Sequence, residues 1–112
     1  MKDAQRELVS EMLGKGIKGW ADVTLCMLDE DGLVDEIYLV NREESGADAA
    51  ITYKEFIKAA TDWSTEHLNE NYPPYTDFAR DWLNHEWDQV QYNNDICNQI
   101  HQQALFGEAI YS

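Results

Sequence analysis

The chain is 112 residues long, 44% hydrophobic and 12% aromatic, enough apolar mass for one domain with its own core and too much for a disordered acidic tail. Its 22 Asp and Glu against 8 Lys and Arg leave a net charge of −14; spread over the roughly 6,300 Å² that a folded chain of this mass exposes, that is one uncompensated carboxylate on about every 450 Å². Such a field argues against direct binding to nucleic-acid phosphates or to anionic membranes, both of which require Lys and Arg.

Two cysteines, Cys26 and Cys97, are too few and too far apart for a disulfide framework, so a reduced, cytoplasmic chain is expected, in the host cytoplasm if it is phage-encoded. Charges of both signs in Met1–Glu7 occupy the place of a signal peptide's apolar region, and apolar runs of about four residues fall short of the ~20 that span a bilayer. A monomer or small homo-oligomer is expected, since like charge opposes close self-association.

In chain order, Asp3 can cap a short amphipathic helix to about Leu13, stopped by Gly14-Lys15-Gly16. Trp20 to Leu28 and Leu33 to Val40 are rich in β-branched and aromatic residues and read as strands, and Asp29-Glu30-Asp31-Gly32 between them reads as a hairpin turn closed by glycine. Residues 41 to 50 have no period and read as a loop, with room for a short third strand near Ala50-Ile51. Thr52-Tyr53-Lys54-Glu55 fits a capping box opening a helix to about Leu68. Pro73-Pro74 falls in a stretch read as a break, with helix resuming at Thr76 or Asp77 and running to about Phe106; Asn93-Asn94-Asp95 is the place for an interruption. The expected class is α+β in a single domain: an N-terminal helix, an antiparallel hairpin and two or three C-terminal helices on one face of the sheet.

On an unbroken helix Asp77, Asp81, Asn84, Asp88, Gln91, Asp95, Asn98 and Gln102 would form one polar stripe, with Asp81, Asp88 and Asp95 about 10 Å apart along a front of roughly 40 Å. After Arg80 the last 32 residues hold five carboxylates, nine Asn or Gln and no Lys or Arg. A solvated helix face would satisfy the pattern, but such faces normally mix signs to gain i,i+4 support. The hairpin adds Asp29, Glu30, Asp31, Asp35 and Glu36, five carboxylates within eight residues, which would also serve simply to keep a strand edge from aggregating. Trp82 and Trp87 are five residues apart and cannot both face inward, which leaves Trp87, with Tyr92, as a candidate interface anchor.

Other chemistry is weakly signalled. Cys97 and His101 lie at i,i+4, and with His85 or Cys26 they have the residue types for a metal site, but no paired zinc motif is present. Asp29-Glu30-Asp31-Gly32 departs from a calcium loop, which needs glycine sixth and glutamate twelfth. No nucleophile elbow occurs, and Gly14-Lys15-Gly16-Ile17-Lys18-Gly19 follows a helix without the dinucleotide-binding order, so it reads as a flexible connection.

These readings point to a small acidic inhibitor, not an enzyme, that uses no cofactor and binds a basic nucleic-acid-handling groove of another protein by presenting carboxylates where phosphates would lie. In size and charge the chain resembles phage anti-CRISPR and anti-restriction proteins, without a shared motif. An immunity protein or antitoxin against a basic nuclease toxin would use the same surface, and a metal-binding regulator or small enzyme built on His85, Cys97 and His101 is the reading from a different class.

Overall fold

A computed structural model describes residues 3–43 and 47–108. The elements run α1 (Ala4–Met12), β1 (Ala21–Leu28), β2 (Val34–Asn41), β3 (Ala47–Thr52), α2 (Tyr53–His67), α3 (Pro73–Leu83) and α4 (Asn94–Phe106), an α+β arrangement with an antiparallel sheet ordered β1-β2-β3. The third strand is therefore six residues long and pairs with β2 along its length. Among the described residues no helix is long and apolar enough to cross a membrane.

Local chemistry accounts for most boundaries. The Asp3 carboxylate accepts the Arg6 N–H to open α1, and Thr52 and Glu55 close a reciprocal capping box at the start of α2. At the hairpin Asp29 Oδ1 accepts from the Asp31 and Leu33 N–H groups, and Gly32 takes the positive φ of 81° that lets the chain reverse. Register then fixes the two faces of the sheet. Ile37, Leu39 and Ile51 point to one face and are buried under helices, where they join Val9, Met12, Ile17, Trp20, Phe56, Trp63 and Ile100. Helices α1, α2 and α4 pack on that face, and α3 lies chiefly against α2.

The C-terminal half departs from the sequence reading. Pro73 and Pro74 begin α3 at its first positions, where a missing N–H costs nothing because that donor has no helical partner in any case. The helix then stops at Leu83, and residues 84–93 form an irregular loop in which His85 takes a positive φ of 58°. Asn93 is the N-cap of α4, its side chain accepting the Ile96 N–H at 2.8 Å, so the Asn-rich stretch starts a helix. Asp77 through Gln102 consequently do not form one stripe, and a 40 Å acidic front does not exist.

Part of that stripe turns inward because buried tryptophans need acceptors. Trp20 Nε1 donates to Asn98 Oδ1 at 2.6 Å, Trp63 Nε1 to Gln99 Oε1 at 3.0 Å, and Trp82 Nε1 to Thr61 Oγ1 at 3.0 Å. Gln102 is fully buried and donates to Asn98. The glycine-rich segment after α1 is also no loose connection: the Gly14 N–H donates to His101 Nε2 at 2.8 Å, and Gly16 lies directly against the backbone of Asn94.

Candidate protein-binding face

The first turn of α1 is the hub around which carboxylates gather. On one side Arg6, nine-tenths buried, sends Nη2 to Asp29 at 3.1 Å and to Asp35 at 3.8 Å, while its guanidinium stacks 3.9 Å over the Tyr53 ring. This pins the hairpin to α1. On the other side Ala4 lines a depression with His85, Glu86, Trp87, Asp88 and Gln89. Asp29 and Asp35 thus meet α1 at Arg6, with Glu30 and Asp31 next to Asp29 in the turn, and Glu86 and Asp88 border Ala4 on the other side of the helix; Asp3 and Glu7 flank these two positions in sequence. Of these, Glu7, Glu30, Asp31, Glu86 and Asp88 have no cation within 4 Å among the described residues.

Asp29 itself is a structural residue. Both carboxylate oxygens are engaged, and its pKa is lowered first by the Leu33 backbone N–H and then by the Asp31 N–H and the Arg6 guanidinium. Arg6→Met keeps an apolar stem over Tyr53 but leaves Asp29 and Asp35 without their cation. We expect it to lower stability by about 1–2 kcal/mol in urea unfolding, because both carboxylates keep some solvent.

The open face of the sheet adjoins the hairpin. Residues paired across the strands share a face, which sets Leu25, Tyr38 and Ala50 in one row across the sheet, with Asp22, Val40 and Asp48 on one side of it and Met27, Glu36 and Thr52 on the other. Leu25, Met27 and Tyr38 are 52%, 45% and 39% exposed, an apolar centre that no helix covers among the described residues. Glu36 accepts from the Tyr38 hydroxyl at 2.9 Å, which holds the ring across the face and raises the phenol pKa. Asp22 is paired with Arg42 at 3.4 Å, whereas Glu36 and Asp48 meet no cation among the described residues.

The remaining sequence candidates lie elsewhere or are partly neutralised. Arg80 bridges Asp77 and Asp81 at 3.3 Å each, and the Asp81 side chain is only 14% exposed. Asp77 and Tyr92 line a cleft of about 300 Å³ between the starts of α3 and α4, with Pro73, Pro74, Gln91 and Asn93. The Tyr92 hydroxyl accepts from Lys15 Nζ at 3.1 Å, and Asp95 is hydrogen-bonded by the Tyr75 hydroxyl. Burial, followed by the Asp95 bond, pushes Tyr75 up to about 12. Trp87 is half-buried, edge-on to the fully buried Trp82 at 5.0 Å and stacked on His85 at 5.2 Å.

The chain matches no protein-family model, no curated protein and no solved structure. The site therefore rests on its own geometry.

That geometry does not assemble the metal constellation. Cys97 and His101 are fully buried, burial pushes the Cys97 thiol up to about 12, and both His101 ring nitrogens are committed, Nε2 to the Gly14 N–H and Nδ1 to the Cys97 carbonyl at 2.6 Å. His85 sits in an exposed loop on Trp87, and no group of three potential ligands converges among the described residues. Sequence reasoning missed Leu25, Met27, Tyr38, Asp48, Glu7 and Glu86. The two glutamates carried a signal, each lying near an acidic cluster in sequence; the sheet residues carried none, since β1 is apolar whether or not a helix covers it.

Proposed function

We propose that this protein is a small acidic inhibitor that occupies a cationic, nucleic-acid-handling surface of another protein, using carboxylates where phosphates would lie. The observation that carries the reading is that carboxylates border both sides of the first turn of α1, Asp29 and Asp35 at Arg6 and Glu86 and Asp88 at Ala4, while Arg6 is buried and already shared by Asp29 and Asp35. A surface in which cations are buried and anions exposed attracts a basic groove at long range. The adjoining row of Leu25, Tyr38 and Ala50 supplies the apolar contact that slows dissociation once the surfaces meet.

The test is capture of lysate proteins on the immobilised chain at low salt, followed by elution with duplex DNA. A nuclease or nucleic-acid-binding protein released by DNA and by salt supports the reading; retention of neutral partners insensitive to both refutes it. With such a partner in hand, the triple variant Glu30→Gln, Asp31→Asn, Asp88→Asn is expected to slow association by roughly tenfold or more at low salt, with little change in melting temperature. Association rates equal to those of the parent chain would place binding on another surface. If the captured protein is a nuclease toxin, the same face makes the chain its immunity protein.

A further inference from the structure

We infer that the open face of the sheet is a docking surface for one amphipathic helix of a partner protein, with Lys or Arg toward its two ends and apolar residues between. An antiparallel sheet covered by helices on one side ordinarily turns polar residues to water on the other. Here the central outward row is Leu25, Tyr38 and Ala50, with Met27 and Val40 beside it, and Leu25, Met27 and Tyr38 are exposed. Glu36 holds the Tyr38 hydroxyl, and a side chain already held costs less to order on binding.

Charge complementarity names the occupant. Residues 21–28, 34–41 and 47–52 hold the carboxylates of Asp22, Asp35, Glu36 and Asp48 and no Lys or Arg. Asp35 belongs to the helix-covered side, where Arg6 takes it. The others stand at the ends of the apolar centre: Asp22, bridged by Arg42, and Asp48 flank Val40 at one end, and Glu36 lies between Met27 and Thr52 at the other. Four residues of strand separate Glu36 from Val40, about 14 Å, which is the rise of about nine residues of α-helix. The width agrees, since three strands span about 10 Å between their outer axes and one helix with its side chains is about as wide. A helix lying along β2, with its apolar stripe on Leu25, Tyr38 and Ala50, therefore brings cations about nine residues apart over Glu36 and Asp48. A neutral or acidic helix would desolvate those carboxylates without a counter-charge, and a second copy of this face would set like charges against them. The basic character of the partner is taken from the reading above; the face adds which element of that partner it receives.

Titration of the isotope-labelled full chain with an acetylated, amidated helical peptide of Ala, Leu and Lys, followed by amide chemical shifts, tests this. The lysines occupy two turns about nine residues apart with leucines between them, and a peptide of the same composition in shuffled order is the control. The expected result is shift changes centred on Leu25, Tyr38 and Ala50, with binding roughly tenfold or more tighter than that of the shuffled peptide. Leu25→Ser is expected to weaken binding by roughly tenfold with unchanged circular dichroism, and Glu36→Gln with Asp48→Asn to weaken it severalfold and flatten its salt dependence. Equal affinity for the two peptides, shift changes centred on Glu30 and Asp31 or on Glu86 and Asp88, or no saturable binding below millimolar peptide overturns the inference. Concentration-dependent shifts at Leu25 and Tyr38 without peptide also overturn it, by giving the face to a second copy. If Leu25→Ser fails to fold, the shift map of the parent chain and the double carboxylate variant decide. Capture of a DNA-released partner whose association depends on Glu30, Asp31 and Asp88 can succeed where the peptide fails, and the peptide can bind where no captured partner answers to DNA, so either proposal can fail alone.

Discussion

Gly16→Ala is expected to destabilise the protein by about 3 kcal/mol or more, lowering the melting temperature of a chain this size by roughly 15 °C. Two independent costs add at this residue. Its φ of +78° is strained for any side chain with a Cβ. A Cβ built there would also lie 2.3 Å from the Asn94 carbonyl oxygen and 3.2 Å from the Asn98 N–H nitrogen, backbone atoms of the first turns of α4 that cannot rotate away. Relief requires α4 to retreat from the α1–β1 connection, which pulls on the Gly14–His101 and Trp20–Asn98 hydrogen bonds. Gly19→Ala is the matched control, because nothing lies within 4 Å of its would-be Cβ and its φ is not positive; its effect should be within a few tenths of a kcal/mol. Equal melting temperatures for the two variants would mean that α4 is not anchored on this glycine.

Acidification should produce the second large effect, through His101. Burial lowers its pKa from 6.5 to about 4, partly opposed by the Cys97 carbonyl, so the folded protein keeps the ring neutral where the unfolded chain protonates it. The unfolded state thus binds more protons between the two values, and stability present above pH 6.5 is lost as pH falls toward 4, by about 3 kcal/mol in total. The bond pattern gives the reason: Nε2 must accept from the Gly14 N–H, and a protonated ring has no acceptor to offer. Protonation of surface carboxylates relieves self-repulsion over part of the same range and works in the opposite direction. His101→Gln, which removes the titration, isolates the imidazole. Urea unfolding across this pH range should show the parent losing about 3 kcal/mol relative to that variant, and parallel pH dependences would show that His101 is protonated in the folded state.

Most elements of the first two-thirds of the chain were legible because their signals are local. Asp3, Thr52 with Glu55, and the Asp29–Gly32 turn each satisfy backbone groups within four residues, so no distant contact is needed to interpret them. The acidic hairpin was legible for the same reason. Past Tyr72 the local signals were ambiguous: proline both ends and begins helices, Asn both breaks and caps them, and only the packing of α3 and α4 against α2 resolves which occurs.

Sequence by itself determined the α+β class, the hairpin, the capped helices and the excess of anionic side chains, all of which follow from composition and short-range hydrogen bonding. Tertiary structure alone decided which polar residues face water. Asn98, Gln99 and Gln102 share a composition with a solvated helix face, yet two of them accept indole N–H groups from Trp20 and Trp63 and the third bonds to Asn98, because a buried donor without an acceptor costs more than a buried amide that is fully bonded. It also decided that Glu86 and Asp88 border Ala4 while Asp29 and Asp35 reach Arg6, and that β1 is left open on both faces, since contacts between residues far apart in sequence leave no periodic trace in the chain.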